Sequence, residues 1–189
     1  AGGGFVVTWS DSNNIDGSSW SILGQRFDAD GAKVGSEFRA NSYTYSNQLY
    51  SKVEQLPDGG FVIVWQSYSV DGTNQYGIAG QRYAVDGTKI GGEFVVNSEM
   101  GWNKELPSIA LRDDGALVVV WRGQNGSMIE QRIIDDFAED TTAVEIGENV
   151  NLPISGFPEK PEVAALADGG HVVAWMAQGS ANPDTANYG

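Results

Sequence analysis

Three aromatic residues, Trp20, Tyr76 and Tyr188, stand at matching places in the chain, each preceded by a short polar loop that carries an aspartate: Asp16, Asp71 and Asp184. A ring face stacks on a sugar while a carboxylate accepts its hydroxyls, so these six residues are candidates for a repeated glycan site. The competing reading is that the rings cap the edge of a sheet. The same aspartates are weaker cation candidates, since hard cations seek clustered carboxylate oxygens. Asp28 and Asp30, in the run DADG, invite a calcium reading too. The corresponding positions read Ala84-Val85-Asp86-Gly87 and Ile134-Asp135-Asp136-Phe137, however, so what recurs is the Asp-Gly step a hairpin turn needs. A bound calcium ion stays compatible with that place, and no cofactor is required by any motif.

Other chemistry is scarce. His171 is the only histidine and cysteine is absent, which removes His-based nucleophile triads, multi-His metal sites and thiolate sites. The 25 acidic residues offer many carboxylate pairs for glycoside hydrolysis, yet none is singled out. Units that resemble one another create equivalent sites rather than one special pocket, so the expectation is a protein that is not an enzyme. The pair Gln25-Arg26 recurs as Gln81-Arg82 and Gln131-Arg132, and Glu37-Phe38 recurs as Glu93-Phe94. A structural role for Arg26, Arg82 and Arg132, as cross-strand ion pairs with Glu37 and Glu93, is the economical account, with an anion site as the alternative.

The elements that hold these residues follow from an internal repeat, which must be sought before any other assignment. Trp9, Trp65, Trp121 and Trp175 lie 56, 56 and 54 residues apart, and each closes an apolar run: FVVTW, FVIVW, LVVVW and HVVAW. A large aromatic at that place packs in the core rather than against a ligand. In three copies a glycine turn joins this run to an earlier one, as in KVEQLPDGGFVIVW, SIALRDDGALVVVW and EVAALADGGHVVAW. Apolar runs flanking Asp-Gly read as a β-hairpin. A second hairpin follows in ILGQRFDADGAKVGSEFRAN and IAGQRYAVDGTKIGGEFVVN, with a degenerate third version. No segment sustains a 3.6-residue period, so the chain is all-β.

Four strands per unit of about 55 residues, in meander order, predict a β-propeller of antiparallel four-stranded blades, with a β-solenoid as the competitor. The array divides as 1–49, 50–105, 106–160 and 161–189, the first and last copies partial. A ring has about 4 to 8 blades, so this one is read as incomplete, or as completed by further blades of the same parent or by an oligomer. The chain opens mid-repeat on AGGGFVVTW, without an initiator Met, as a piece of a longer protein would. The formal charge of −14, with only 11 Lys and Arg, sets the chain against nucleic acid and anionic membranes. No apolar run nears the roughly 20 residues of a membrane-spanning helix.

The repeat LADGGxVVxW…GQRFDADGxxxGxEFxxN resembles the tandem repeats of large secreted bacterial proteins of repeats-in-toxin, hemolysin-type calcium-binding or adhesin-like kind. The resemblance implies a secreted, extracellular or cell-surface module, structural or adhesive, with a glycan or matrix component as partner. The nine-residue GGxGxDxUx calcium repeats of such proteins are absent here. The alternatives are a carbohydrate-binding propeller with one site per blade, at Trp20, Tyr76 and Tyr188, and a part of a polysaccharide-degrading enzyme.

Overall fold

The computed structural model describes residues 3–15, 17–98, 100–123, 128–134, 152–153 and 157–178. Four separate antiparallel sheets follow one another along the chain. The first contains β1 (Phe5–Asp11), β2 (Ser21–Phe27) and β3 (Lys33–Arg39), in that order. The second is β4 (Gln48–Gln55), β5 (Phe61–Tyr68), β6 (Tyr76–Tyr83) and β7 (Lys89–Val95). The third runs β8 (Glu105–Leu111), β9 (Leu117–Gly123), β10 (Met128–Ile134) and β11 (Leu152–Pro153), and the fourth pairs β12 (Phe157–Ala165) with β13 (His171–Gln178). The chain is thus all-β, a β-propeller of antiparallel blades whose ring is not closed among the described residues. A solenoid is excluded by the separate meander sheets.

Each sheet forms where the sequence alternates two short runs around a turn that only certain residues can make. In the hairpin between β4 and β5, Asp58 accepts the Gly60 amide at 2.8 Å and Gly59 takes a φ of 84°. Gly115 and Gly169 repeat that left-handed conformation at 89° and 85°, where a side chain would be strained. Gly24 and Gly80 serve a different need, because a Cβ on either would lie 2.6 Å from the Phe38 or Phe94 ring stacked over it.

The blades are apolar on both faces and pack face to face. Val62 and Val64 of one blade meet Leu117, Val119 and Trp121 of the next, and Ile63 and Trp65 meet Ile22 of the one before. Central strands covered on both sides read as continuous apolar runs, which is why FVIVW and LVVVW are not alternating. Trp65 is fully buried and donates its indole N–H to Gln48 Oε1 at 3.1 Å, and Trp121 is buried as well, whereas Trp9 and Trp175 in the outermost blades are half-buried. In the second strand of each repeat unit (β1, β5, β9 and β13), Val62, Val64, Val118 and Val120 are buried, Val6 and Val173 are half-buried, and Val172 is 48% exposed. Its face points away from β8 and β9, and among the described residues no further blade covers it.

The Gln-Arg repeat does its work differently from the predicted ion pair. A register shift between Gly24 and Arg26, repeated between Gly80 and Arg82, sets Arg26 opposite Val34 and Arg82 opposite Ile90 rather than opposite the glutamates. Gln81 fills the bulge, donating to the carbonyls of Arg82, Ile90 and Gly91 at 3.0, 3.1 and 3.4 Å, and Gln25 does the same in its blade. Arg82 pairs with Asp58 at 2.8 Å. Arg26 donates instead to the carbonyls of Val85, at 2.8 Å, and Asp86 in the next blade, and Arg132 to the Val96 carbonyl of the preceding one. Glu93 holds the previous blade: its carboxylate accepts the amides of Ser42 at 2.6 Å and Tyr43 at 3.1 Å, while Lys89 donates to Ala40 O at 2.8 Å.

Two outcomes test this packing. Trp65→Ala should lower unfolding stability by about 3–5 kcal/mol in denaturant titration, and Trp9→Ala by distinctly less, since the cost follows the burial of the ring. Burial pushes the Glu93 carboxyl above its ordinary value, against the Ser42 and Tyr43 amides and the Lys89 charge that pull it down. The folded state therefore binds the extra proton, and stability contributed by Glu93 falls as pH rises from the ordinary carboxylate value through the raised one. Glu93→Gln should flatten that part of the stability–pH curve, measured by denaturant midpoints across the acid range.

Candidate functional site

Because the strands alternate in direction, one end of the propeller gathers the start of each inner strand and the loops between strands two and three, while the tight Asp-Gly turns lie at the other. At the first end each inner strand carries the same irregularity. Tyr50, Leu106 and Lys160 have φ of 56°, 56° and 48°, and the ladder slips at the same place in all three blades, between Leu49 and Lys52, Glu105 and Ser108, and Glu159 and Glu162. A bulky residue in the left-handed region costs roughly 1–2 kcal/mol, and bulges re-aim the side chains that follow them. The displaced amides are caught by the preceding blade: Tyr50 N donates to Ser10 Oγ at 3.1 Å and Leu106 N to Gln66 Oε1 at 3.2 Å.

The residues just past the three bulges are Lys52, Ser108 and Glu162, equivalent positions in successive copies, and they converge. Lys52 Nζ lies 2.8 and 3.1 Å from the two Glu162 carboxylate oxygens, and Ser108 Oγ donates to Oε2 at 2.7 Å while accepting the Val163 amide at 3.2 Å. Lys52 and Glu162 belong to blades that are not neighbours, so the contact crosses the axis. Burial by itself raises the Glu162 carboxyl, but the hydrogen bonds from Lys52 and Ser108 and the Lys52 charge outweigh it and hold it below the ordinary value. It stays ionised while remaining open to solvent. Two residues along β4, on the same face of the strand as Lys52, burial drives the Glu54 carboxyl the other way, above its ordinary value, against a backbone hydrogen bond from Gln55. The copies carry Ala110 and Ala164 where β4 has Glu54.

On the same end lies a ladder of tyrosines. Tyr43, Tyr45, Tyr68 and Tyr76 contact in sequence, with ring centroids 6.5, 6.2 and 5.2 Å apart, and Tyr45 is 59% exposed. Tyr50, at the first bulge, is exposed too, as is Trp102. The ladder is tied down at its polar ends: Asn47 donates to the Tyr76 hydroxyl at 3.2 Å, and Tyr43 donates to the Ser69 carbonyl at 3.2 Å.

Of the residues singled out by sequence, Tyr76 and Trp20 lie on this end, Tyr76 within the ladder and Trp20 exposed with its carbonyl accepting the Gln48 amide at 3.0 Å. Asp71 spends Oδ1 on Thr73, at 3.1 Å to the amide and 2.6 Å to the hydroxyl. Asp16, Asp184 and Tyr188 lie outside the described residues. Asp28 accepts the amides of Asp30 and Ala32 at 3.0 and 2.8 Å, the work of a turn, and among the described residues no three metal-ligating side chains gather. Lys52, Ser108 and Glu162 were not singled out. Their signal was the first column of KVEQLPDGG, SIALRDDGA and EVAALADGG, where the copies differ in charge while the turn that follows is kept.

No protein-family model matches the chain, and no curated protein does. Solved structures do. An endo-arabinase from Bacteroides thetaiotaomicron is 16% identical with a TM-score of 0.57, over 93% of this chain and 66% of its own. An alpha-L-arabinofuranosidase from Lactobacillus brevis is 13% identical at 0.59, over 96% and 65%. The alpha-L-arabinanase of Penicillium chrysogenum, solved with arabinobiose, is 16% identical at 0.57, over 94% and 51%. The chain therefore spans between half and two thirds of these proteins, and at such identity the likeness carries the propeller fold. It also corrects two expectations. The named neighbours are arabinan-directed enzymes rather than repeats-in-toxin, hemolysin-type or adhesin-like arrays, which corrects that resemblance, and the expectation that the chain is not an enzyme finds no support among them.

The Lys52–Glu162 pair lies open to solvent. An ion pair this exposed contributes at most about 1 kcal/mol, so Glu162→Gln and Lys52→Met should each leave the denaturant midpoint within that margin of the parent chain.

Proposed function

We propose that this chain is part of a secreted, polysaccharide-degrading propeller, and that its substrate lies over the tyrosine ladder with a glycosidic bond at the axis beside Glu162. A propeller hosts many activities, so the site must carry the reading. The observation that carries it is the convergence of three equivalent positions, occupied by Lys52, Ser108 and Glu162, on one carboxylate. Repetition makes equivalent sites at the rim of a ring, but at its axis the copies meet, and there a single unique site can be built from unlike residues.

The environments of Glu162 and Glu54 push their proton affinities apart, which separates the two roles that carboxyl groups play in glycoside hydrolysis. Glu162, kept ionised, suits the base, nucleophile or cation-stabilising role. Glu54, which holds its proton further up the pH scale, suits the acid that protonates the leaving oxygen. Lys52 and Ser108 keep the Glu162 carboxylate aimed. Exposed rings at Tyr45, Tyr50 and Trp102 supply stacking faces for successive sugars. The arabinan-directed names of the similar structures favour arabinose-containing polysaccharides as the class to test first.

The test is release of reducing ends from arabinan by the full chain, with retention in arabinan-containing native gels as the binding readout. Glu162→Gln should reduce release by about 100-fold or more while retention persists, and Glu54→Gln should remove the alkaline limb of the pH profile, the acid's contribution being of order 100- to 10,000-fold. Tyr45→Ala should weaken retention. Retention without release, indifferent to Glu162→Gln, would return the chain to a carbohydrate-binding module; neither retention nor release on any glycan would sink the reading.

A further inference from the structure

Among the described residues, the non-glycine positions with positive φ fall into two groups. Asn14, Ser46, Ser69 and Asn74 are short polar residues of loops, where such a conformation is tolerated. The other three are Tyr50, Leu106 and Lys160, one at each inner-strand bulge. Elsewhere the chain meets the same backbone demand with glycine, as at Gly59 and Gly115 in the turns that follow β4 and β8. Glycine is also the residue that a bulge with a left-handed first position ordinarily takes. Three bulky side chains are thus kept where the backbone disfavours them.

Packing does not offset that strain. Tyr50 is 53% exposed, Lys160 is exposed and Leu106 is only half-buried. Each stands two residues before Lys52, Ser108 or Glu162, so the three surround the same axis nearer its open end. They are also unlike, an aromatic, an aliphatic and a cationic residue, where a column that serves the fold repeats itself, as Trp65 and Trp121 do.

The third bulge differs from the other two in its hydrogen bonding. Ser10 accepts the Tyr50 amide and Gln66 the Leu106 amide, but the matching residue before Lys160 is Arg122, which has only donors and pairs with Glu105. Among the described residues no side chain accepts the Lys160 amide. One side of the axis therefore presents an aromatic face, and another presents an amide and an ammonium that call for oxygen acceptors. Backbone strain retained without a gain in packing is a sign of function.

We propose that Tyr50, Leu106 and Lys160 form a collar over the axis that selects the sugar unit at the scissile bond. The unit lays its C–H face on the Tyr50 ring and turns its oxygens to the Lys160 amide and ammonium, with Leu106 as the apolar side between them. The inference rests on the hydrolytic reading and adds to it the residues that choose the sugar, kept there against the stability of the fold.

The test compares Tyr50→Gly, Lys160→Gly and Tyr50→Phe in the full chain. Glycine relieves the left-handed strain, so both glycine variants should keep or raise the denaturant midpoint, and Tyr50→Phe, which keeps ring and strain, should match the parent. In native gels containing arabinan or xylan, Tyr50→Gly should weaken retention by about threefold or more on the glycan that the parent prefers. It should also narrow the ratio between the two glycans, and Tyr50→Phe should restore both. A lowered midpoint in both glycine variants would overturn the inference, because the side chains would then serve the fold. Retention and ratio equal to the parent's in a stable Tyr50→Gly would overturn it too. Tyr50-dependent retention without release of reducing ends would sink the hydrolytic reading and leave the collar standing, whereas a parent chain that retains neither glycan would end both.

Discussion

A sheet with apolar side chains on both faces cannot be stable in water as a single layer, and this is the constraint from which the rest of the molecule follows. The two central blades bury one face against the blade before and the other against the blade after. Val62 and Val64 face forward while Ile63 and Trp65 face back, so one five-residue run serves two interfaces. Stacking of twisted sheets in one direction turns the array around an axis. Polar links then fix the angle: Glu93 and Lys89 hold the strand exit of the preceding blade, and Arg26 and Arg132 hold carbonyls across the same kind of boundary. Exposure rises where a neighbour is lacking, as at Phe5 and Val172.

The axis is where such an array differs from a row of independent units. Inner strands from several blades approach one line there, and the repeated bulges at Tyr50, Leu106 and Lys160 turn the residue two positions on, Lys52, Ser108 or Glu162, towards it. The bulge amides are satisfied by Ser10 and Gln66, side chains of the blades before, so the backbone strain is supported by inter-blade contacts. The outcome is a carboxylate held by an ammonium and a hydroxyl from two other blades. A residue type repeated three times would have placed like charges together; Lys, Ser and Glu make one neutralised, directional cluster.

The tyrosine ladder obeys a similar logic at the rim. Its members come from the loop between β3 and β4 and from the two ends of the β5–β6 connection, so no single hairpin contains it. Two of the loops singled out for their aspartates use those carboxylates on turns, as Asp28 and Asp71 do. Short polar loops need their own side chains to satisfy backbone amides before any ligand is met.

The amino-acid sequence by itself determined the repeat, the four-stranded meander unit, the Asp-Gly turns and the central burial of Trp65 and Trp121. These depend on local propensity and on a pattern kept from copy to copy. It also contained the column Lys52, Ser108 and Glu162, but nothing local marked that column as the one that meets. Only the tertiary structure decided that, together with the partners of the arginines: a two-residue register slip sets Ile90 opposite Arg82, and the separate bulges of β4, β8 and β12 bring three positions 54 or more residues apart onto one carboxylate. Bulges and inter-blade angles are set by packing between sheets, and a residue's distance from the axis is a property of the whole ring rather than of its neighbours in the chain.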